Sequence, residues 1–166
     1  MNFLKKLFTE KKTEMDVPEN DVVVAMCDGE LIPAEKIADP VFSENLLGKT
    51  VAIEPTSSDI VSPVSGTLSA VFPTGHAFGV SGADGSGYLV HIGIDTVSMN
   101  GTGFKLLKTQ GDTVKAGETV VRADLNEIEK QGHARTVMLI VTEPVEGKSY
   151  DYIDYGPVKQ GQRISG

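Results

Sequence analysis

The sequence predicts an all-β fold, an antiparallel β-sandwich or barrel built from short strands. Eighteen glycines and eight prolines recur at short intervals, and the segments between them are apolar runs rich in valine, isoleucine and threonine. This pattern is typical of strands joined by tight turns. Apolar residues make up 40% of the 166 residues, which is enough for one domain of this size to bury a core.

A weak internal repeat adds detail to this fold. The segments DIVSPVSGTLSAVF (59–72) and TQGDTVKAGETVVRAD (109–124) both follow the order strand, glycine turn, strand. A sandwich with two related halves would produce such a repeat.

Local signals assign the individual elements. One short helix is predicted from Asp124, which can cap it, to Gly132, which can end it. The stretch 31–50 contains two prolines and shows no sustained alternation, so we expect mostly loop there, with at most one helical turn at Ser43–Leu47. Strands are predicted at 21–26, 50–54, 66–72, 87–95, 118–124 and 136–141.

The loop at 31–50 is unusually apolar because it contains Val41, Phe42, Leu46 and Leu47. These side chains either tuck into the core or form a docking patch. Composition alone favours the core.

The first residues differ in character from the rest. Residues 1–12 carry Phe3, Leu4, Leu7 and Phe8 on one helical stripe and lysines on the other side. Such a basic amphipathic stretch can lie on anionic lipid, but it can equally fray or dock on its own domain. We therefore predict an amphipathic tail and polar linker over 1–21 and the β-sandwich domain over 22–166.

Composition and charge argue against several functional classes. The 15 basic and 23 acidic residues give a net charge of −8, and no basic cluster is interleaved with aromatic residues, which argues against nucleic acid as a partner. Cys27 is the only cysteine, so an internal disulfide framework is excluded and a reducing compartment is favoured. Because no apolar run is long enough to span a bilayer and the start lacks a signal-peptide core, we expect a cytoplasmic protein.

Two of the three histidines lie in matching glycine-rich, apolar settings, TGHAFG (74–79) and GYLVHIGIDTV (87–97). Alternation along a strand at 87–95 places Tyr88, Val90, Ile92 and Ile94 on the core face, and Leu89, His91, Gly93 and Asp95 on the other. The same count over 71–80 groups Thr74, His76 and Phe78. Thr74 is then placed to hydrogen-bond the ring of His76.

Residue types limit the chemistry of these imidazoles. The chain has neither the G-x-S-x-G elbow of serine hydrolases nor a P-loop. Without an H-x-H or H-E-x-x-H pair, metal catalysis is weakly supported, so we expect no bound metal. The other possibility is nucleophilic attack by a ring nitrogen: a neutral imidazole can accept a phosphoryl group on one nitrogen while a backbone carbonyl holds the proton on the other. A neighbouring imidazole can stabilise the transferred charge.

Several stretches in the same order give this chain a family resemblance. They are IADPVFSENLLGKTVAIEP, IVSPVSGTLSAVFPTGHAFG, LVHIGIDTV, GTGFKLLKTQGDTVKAGETVV and DLNEIE. With them the chain resembles the glucose-type enzyme IIA of the bacterial phosphoenolpyruvate-dependent sugar phosphotransferase system, over nearly everything after the linker. The resemblance implies an antiparallel β-sandwich with a shallow apolar depression that holds two histidines.

The resemblance also implies roles. His91 would take a phosphoryl group from phospho-HPr and pass it to the cysteine of an enzyme IIB domain, supported by His76, Thr74 and Gly93. Asp95 would lie where a basic residue of a partner approaches. No cofactor is implied beyond the phosphoryl group held covalently on His91. The apolar residues that would ring the histidines and dock partners are Val41, Phe42, Leu46, Leu47, Phe72, Phe78, Leu89 and Val97.

Two alternatives stay open at this stage. One is a regulatory binding module that keeps the fold without transferring phosphate, and the other is a zinc peptidase on a related β-sandwich. Because many relatives are the last domain of a permease while this chain has its own start, we expect a free-standing, monomeric carrier. Its basic tail over 1–12 is similar to the membrane-touching tail of some such members, so weak membrane contact is expected.

Overall fold

The computed structural model describes residues 22–165, which form two antiparallel β-sheets. The strands are β1 Gly29–Pro33, β2 Lys49–Pro55, β3 Asp59–Val61, β4 Gly66–Val71, β5 Ala77–Gly82, β6 Gly87–Ile92, β7 Phe104–Leu106, β8 Thr113–Val114, β9 Thr119–Ala123, β10 Val137–Glu143 and β11 Gly156–Val158. The larger sheet has eight strands in the order β11-β1-β2-β10-β6-β5-β4-β8, and the smaller has three in the order β3-β9-β7. This confirms the predicted all-β, antiparallel fold.

The main hydrophobic core lies between the two sheets. The larger sheet contributes Ile53, Phe78 and Val90, and the smaller sheet contributes Ile60 and Val121, all fully buried. Each completely buried aliphatic side chain stabilises the fold by about 1.5–3 kcal/mol. The core therefore fixes the larger sheet as a rigid platform for whatever its outer face carries.

The repeat noticed in the sequence has a structural counterpart. The first repeated segment forms β3 and β4, the second forms β8 and β9, and the two segments pair crosswise, β3 with β9 and β4 with β8. Further bonds join their turns: Ser62 N donates to Glu118 O, and Gly117 N donates to Ser62 O, both at 2.8 Å. Such reciprocal pairing agrees with two related halves.

The helices within residues 22–165 are short. Helix α1 spans Pro40–Ser43 and helix α2 spans Leu125–Lys130, with 3₁₀ segments at Ala34–Lys36 and Thr96–Met99. The helix predicted between Asp124 and Gly132 is confirmed as α2, and the carboxylate of Asp124 accepts a hydrogen bond from Glu127 N at its start. The predicted turn at Ser43–Leu47 is wrong by three residues: Asp39 caps the helix by accepting from Val41 N, and a proline fits the first turn.

The start of the domain also differs from the prediction. The run 21–26 was expected to be a strand, but Val24 makes only an isolated bridge to Arg163. Residues Val22–Cys27 are all buried, so this run is apolar because it fills the interior. The first strand is β1, and its last three residues lie in the stretch 31–50 that was predicted to be loop. Its Pro33 is tolerated at the strand end, since β11 pairs only with Gly29–Leu31.

The predictions for the tail and linker over 1–21 lie outside the described residues. The domain boundary at residue 22 therefore stays a prediction. In the described part of the chain no helix is long and apolar enough to cross a membrane.

Candidate active site

His91 lies on the outer face of the larger sheet, away from the main core. It pairs across the sheet with Ala77 of β5 and Met138 of β10. Its neighbours Val90 and Ile92 point the other way and are fully buried in the core. The predicted alternation is confirmed for this part of β6.

A second, smaller apolar cluster covers part of that outer face. It forms where the 3₁₀ segment Ala34–Lys36 and α1 fold over the sheet, and Leu89 packs against it, partly buried. The Phe42 ring, 6% exposed, lies 5.1 Å from the His91 ring between centroids. The buried members of this outer cluster are Ile32, Ala34, Ile37, Phe42, Ala52, Ile94, Met138 and Ile140.

His76 lies beside His91 because a tight turn precedes β5. Gly75 has φ +75°, and a Cβ at this position would meet Phe104 Cβ at 2.7 Å, so the turn requires glycine. Ile92 N donates to His76 O at 2.7 Å, which ties the turn to the end of β6. The two imidazole rings are 5.2 Å apart, nearly perpendicular at 80°.

Each ring is held by a hydrogen bond at Nδ1. His91 Nδ1 lies 2.8 Å from Gly93 O, and His76 Nδ1 lies 2.6 Å from Thr74 Oγ1. Since a carbonyl oxygen only accepts, the neutral His91 ring carries its proton on Nδ1 and its lone pair on Nε2. The predicted bond between Thr74 and His76 is confirmed.

Gly93 O can accept the hydrogen bond from His91 Nδ1 because Gly93 turns the chain at the end of β6. Its φ is +77°, and a Cβ there would lie 2.4 Å from Thr96 Cγ2 and 3.0 Å from Ala134 O. Gly93 N donates to Thr136 O at 2.8 Å. The position therefore excludes side chains both by conformation and by space.

The local electrostatics keep both imidazoles neutral. Burial lowers the pKa of His91 below its ordinary 6.5, although the bond to Gly93 O and the charges of Asp39 and Asp95 work in the opposite direction. Burial, and then the proximity of His91, lower the pKa of His76. His76 is only 4% exposed. Near pH 7 both rings are therefore neutral, and each has one protonated nitrogen and one nitrogen with a lone pair.

Two predictions about this strand end are corrected. Alternation was expected through residue 95, but β6 ends at Ile92 and the turn at Gly93 sends Ile94 into the outer cluster instead of the core. Asp95 is exposed in a left-handed conformation, φ 61°. Its position near His91 therefore comes from a turn rather than from the strand.

Most of the expected apolar ring is on the surface. Exposed members are Val41, Leu46, Leu47, Phe72 and Val97, and the Phe72 ring contacts the His76 ring edge-on at 5.3 Å. The loop thus does both things considered for it, because it buries Phe42 and exposes its neighbours.

Phe78 is the member of the ring that was predicted wrongly. It is fully buried in the main core, opposite Val90. The prediction extends strand alternation from His76 to Phe78, but His76 lies in the turn before β5, so its orientation does not determine which residues of the strand face outward.

Two further titratable residues, Asp39 and His133, lie outside the set of site residues predicted from the sequence. Sequence reasoning missed Asp39, whose charge acts on His91; its position before Pro40 was the available signal. The third histidine, His133, follows α2 and is partly exposed, and its Nε2 lies 3.3 Å from Ser98 Oγ.

The remaining candidates for chemistry are Cys27 and a metal. Burial, with the nearby Asp28 and Glu54, raises the pKa of Cys27 to about 12, so its thiol stays protonated. Within residues 22–165 no group of three or more histidine, cysteine, aspartate or glutamate side chains is arranged to hold a metal ion.

Comparison with known proteins places this site in a family. The family model for the phosphoenolpyruvate-dependent sugar phosphotransferase system, EIIA 1, matches residues 21–146. The chain belongs to this family. This EIIA chain is 41% identical over 147 residues to a PTS system glucose-specific EIIA component of Mycoplasma capricolum, covering 89% of the chain and 95% of that relative. A glucose-specific EIIA component of Staphylococcus epidermidis is 37% identical over 158 residues, covering 95% and 93%.

A solved structure supports the same conclusion. Glucose permease IIA from Mycoplasma capricolum superposes with a TM-score of 0.81 at 41% identity, covering 87% of this EIIA chain and 93% of that one. The chain is therefore a component of the sugar phosphotransferase system, a phosphocarrier of the class that transfers phosphoryl groups through phosphohistidine. Neither the regulatory binding module nor the zinc peptidase is favoured by these relatives.

Proposed function

We propose that His91 Nε2 accepts a phosphoryl group from phospho-HPr and passes it to the cysteine of an enzyme IIB domain. The observation that carries this proposal is the bond between His91 Nδ1 and Gly93 O, 2.8 Å, on a ring whose pKa is lowered by burial. It leaves Nε2 with its lone pair near neutral pH.

In the accepting step, the Nε2 lone pair attacks phosphorus while the bond from phosphorus to HPr breaks. The ring then becomes cationic, and the Nδ1 proton stays bonded to Gly93 O, which stabilises the positive charge. In the donating step, the enzyme IIB thiolate attacks phosphorus, the Nε2–P bond breaks and neutral His91 is restored. The chain needs no cofactor for either step, because the phosphoryl group is the only group carried.

His76 supports the transfer in this proposal. If the Thr74 hydroxyl donates to His76 Nδ1, the ring proton sits on Nε2 and is available to a phosphoryl oxygen. The two rings are 5.2 Å apart, close enough for one to hold the group while the other stabilises its charge. Thr74 thus selects the tautomer of His76 as Gly93 selects that of His91.

The exposed apolar residues around the histidines suit partners that must leave quickly. Four of these side chains are between 38% and 65% exposed: Val41, Leu46, Leu47 and Val97. They offer an apolar contact of small area, which favours rapid release of the partner. Asp95, exposed beside them, would attract a basic residue of the partner. These residues form the proposed docking ring with Phe42, Phe72 and Leu89.

The relatives support a partnership with a permease. Two of them, from Streptococcus pneumoniae and Staphylococcus carnosus, are named PTS system glucose-specific EIICBA components, and this chain matches 16% and 23% of their length. The fusion puts an EIIA unit in the same chain as its IIB and IIC units. We therefore propose a cytoplasmic, monomeric carrier for a permease of the glucose class, with weak lipid contact through residues 1–12.

The test is intact mass after incubation with phosphoenolpyruvate, enzyme I and HPr. Wild type should gain one acid-labile phosphoryl group, His91→Ala should gain none, and His133→Ala, the matched control, should behave as wild type. His76→Ala should still accept from HPr but pass the group to enzyme IIB slowly. Normal labelling of His91→Ala would overturn the assignment.

A further inference from the structure

Thr96 occupies a special position at the end of β6. It starts the 3₁₀ segment Thr96–Met99, yet its side chain is directed back toward the strand and is fully buried. Its hydroxyl Oγ1 donates to Ile92 O at 2.5 Å. This carbonyl belongs to the residue that follows His91, and it would lose this partner if the hydroxyl were removed.

The methyl group of the same side chain contacts the next residue. A Cβ built on Gly93 would lie 2.4 Å from Thr96 Cγ2, so the methyl fills the space beside the Gly93 Cα. The hydroxyl thus holds the peptide before Gly93, and the methyl packs against Gly93 itself. Because threonine is β-branched and stiff at χ1, both contacts depend on one rotamer.

The other groups that hold this turn belong to the backbone. Gly93 N donates to Thr136 O at 2.8 Å, and Ile94 N donates to Ala134 O at 3.1 Å. These bonds fix the amide side of the turn. The direction of the Gly93 carbonyl depends in addition on the peptide before it, where Thr96 acts.

We infer that Thr96 is a positioning residue that aims the Gly93 carbonyl at His91 Nδ1 and so selects the ring tautomer with a free Nε2. Thr96 acts through Gly93 and does not contact the phosphoryl group. The inference rests on the proposed function for its consequence in phosphoryl transfer, but the tautomer itself is measurable without any phosphate.

Two variants separate the two contacts. Thr96→Val keeps the methyl group and loses the hydroxyl, whereas Thr96→Ser keeps the hydroxyl and loses the methyl. Thr50→Val is the matched control, because Thr50 is 6% exposed and its hydroxyl donates to Gly48 O at 2.9 Å. It lies on β2, separated from β6 by β10.

The measurements are the ¹⁵N NMR signals of the His91 ring and the rate of phosphoryl acceptance from phospho-HPr. In Thr96→Val we expect a mixture of His91 tautomers and an acceptance rate lower by about tenfold, the usual scale for a lost buried hydrogen bond. Thr96→Ser should keep most of the native tautomer, and Thr50→Val should leave both measurements unchanged.

A native tautomer in Thr96→Val would overturn the inference, whatever the acceptance rate of that variant. Failure of the proposed function would look different. Wild type would then gain no phosphoryl group on His91, while Thr96→Val would still shift the ring signals.

Discussion

The histidine site at the end of β6 and a tyrosine–lysine cluster beside the start of that strand use polar side chains in opposite ways. In the cluster, Ser86 Oγ bonds Tyr150 OH at 2.5 Å, Val145 N donates to the same hydroxyl at 2.8 Å, and Lys148 forms an ion pair with Asp84. Lys148 also lies 5.2 Å from the centre of the Tyr150 ring. Each of these groups is occupied by its neighbours.

At the histidine site, by contrast, each ring uses one nitrogen. The hydrogen bonds described for His76 and His91 engage Nδ1 of both rings. The charges differ as well: burial lowers the pKa of both histidines, whereas at Asp84 hydrogen bonds from Lys148 and Ser86 outweigh burial and lower the carboxyl pKa. Saturated charged groups stabilise a fold, but a neutral ring with spare bonding capacity can do chemistry.

The largest test of this contrast compares two glycines, both in left-handed conformations. Gly93→Ala should lower the phosphoryl acceptance rate by about 100-fold, because displaced groups at a reacting centre cost this much. Its Cβ would lie 2.4 Å from Thr96 Cγ2, which is fully buried and cannot move away. Such overpacking should also reduce the free energy of unfolding by about 1–3 kcal/mol.

Gly147→Ala is the control, next to Lys148. Its φ is +82°, but nothing lies within 4 Å of the added Cβ, so only backbone strain of about 1–2 kcal/mol is expected. Rates from stopped phosphorylation time courses and unfolding by urea give the two quantities. Equal losses of rate in both variants would show that the histidine site has no special demand for glycine.

The sequence predicts this site better than it predicts the fold around it. His91 was placed correctly because β6 is a regular strand, where alternation holds from Tyr88 to Ile92. Phe78 was misplaced because His76 belongs to a turn, and a positive φ at Gly75 resets the direction of the chain.

The first strand was missed for a similar reason. Residues Val22–Cys27 are apolar because they are buried on all sides, and local pattern does not distinguish such a run from a strand. Leu31 and Ile32 lie in a true strand, but their alternation is too short to detect beside Pro33. Thr96 was not singled out, since its role depends on a contact that only the folded turn creates.

A smaller effect is expected from pH. Phosphoryl acceptance requires neutral His91, and because burial lowers its pKa below 6.5, the rate should stay level as the pH falls to 6.5 and decline only below it. Stability should follow the same sign: the unfolded chain binds protons more readily, so the free energy of unfolding decreases as the pH falls from 6.5 toward the lowered pKa values. The acceptance rate and urea unfolding are measured across this range.

The control for the stability part is the double variant His76→Gln with His91→Gln, which keeps a polar side chain that does not titrate. It should lose the decrease below pH 6.5 that the two histidines cause. An acceptance rate in the wild type that already falls between pH 7.5 and 6.5, with HPr and enzyme I shown to be active, would contradict the lowered pKa.

The smallest effect belongs to the tyrosine–lysine cluster. Lys148→Met keeps the apolar stem against Tyr150 but removes the charge paired with Asp84, and both side chains of this ion pair are about a quarter exposed, at 23% and 24%. A partly exposed pair contributes little, so the free energy of unfolding should fall by about 1 kcal/mol or less. Phosphoryl acceptance should not change, because no bond described for the cluster reaches either histidine.

The double variant with Asp84→Asn measures the coupling of the pair directly, since Asn removes the partner charge at nearly the same size. A slower transfer in Lys148→Met, at unchanged stability, would mean that the cluster and the histidine site communicate along β6, and the division between stabilising and reactive polar groups would then have to be abandoned.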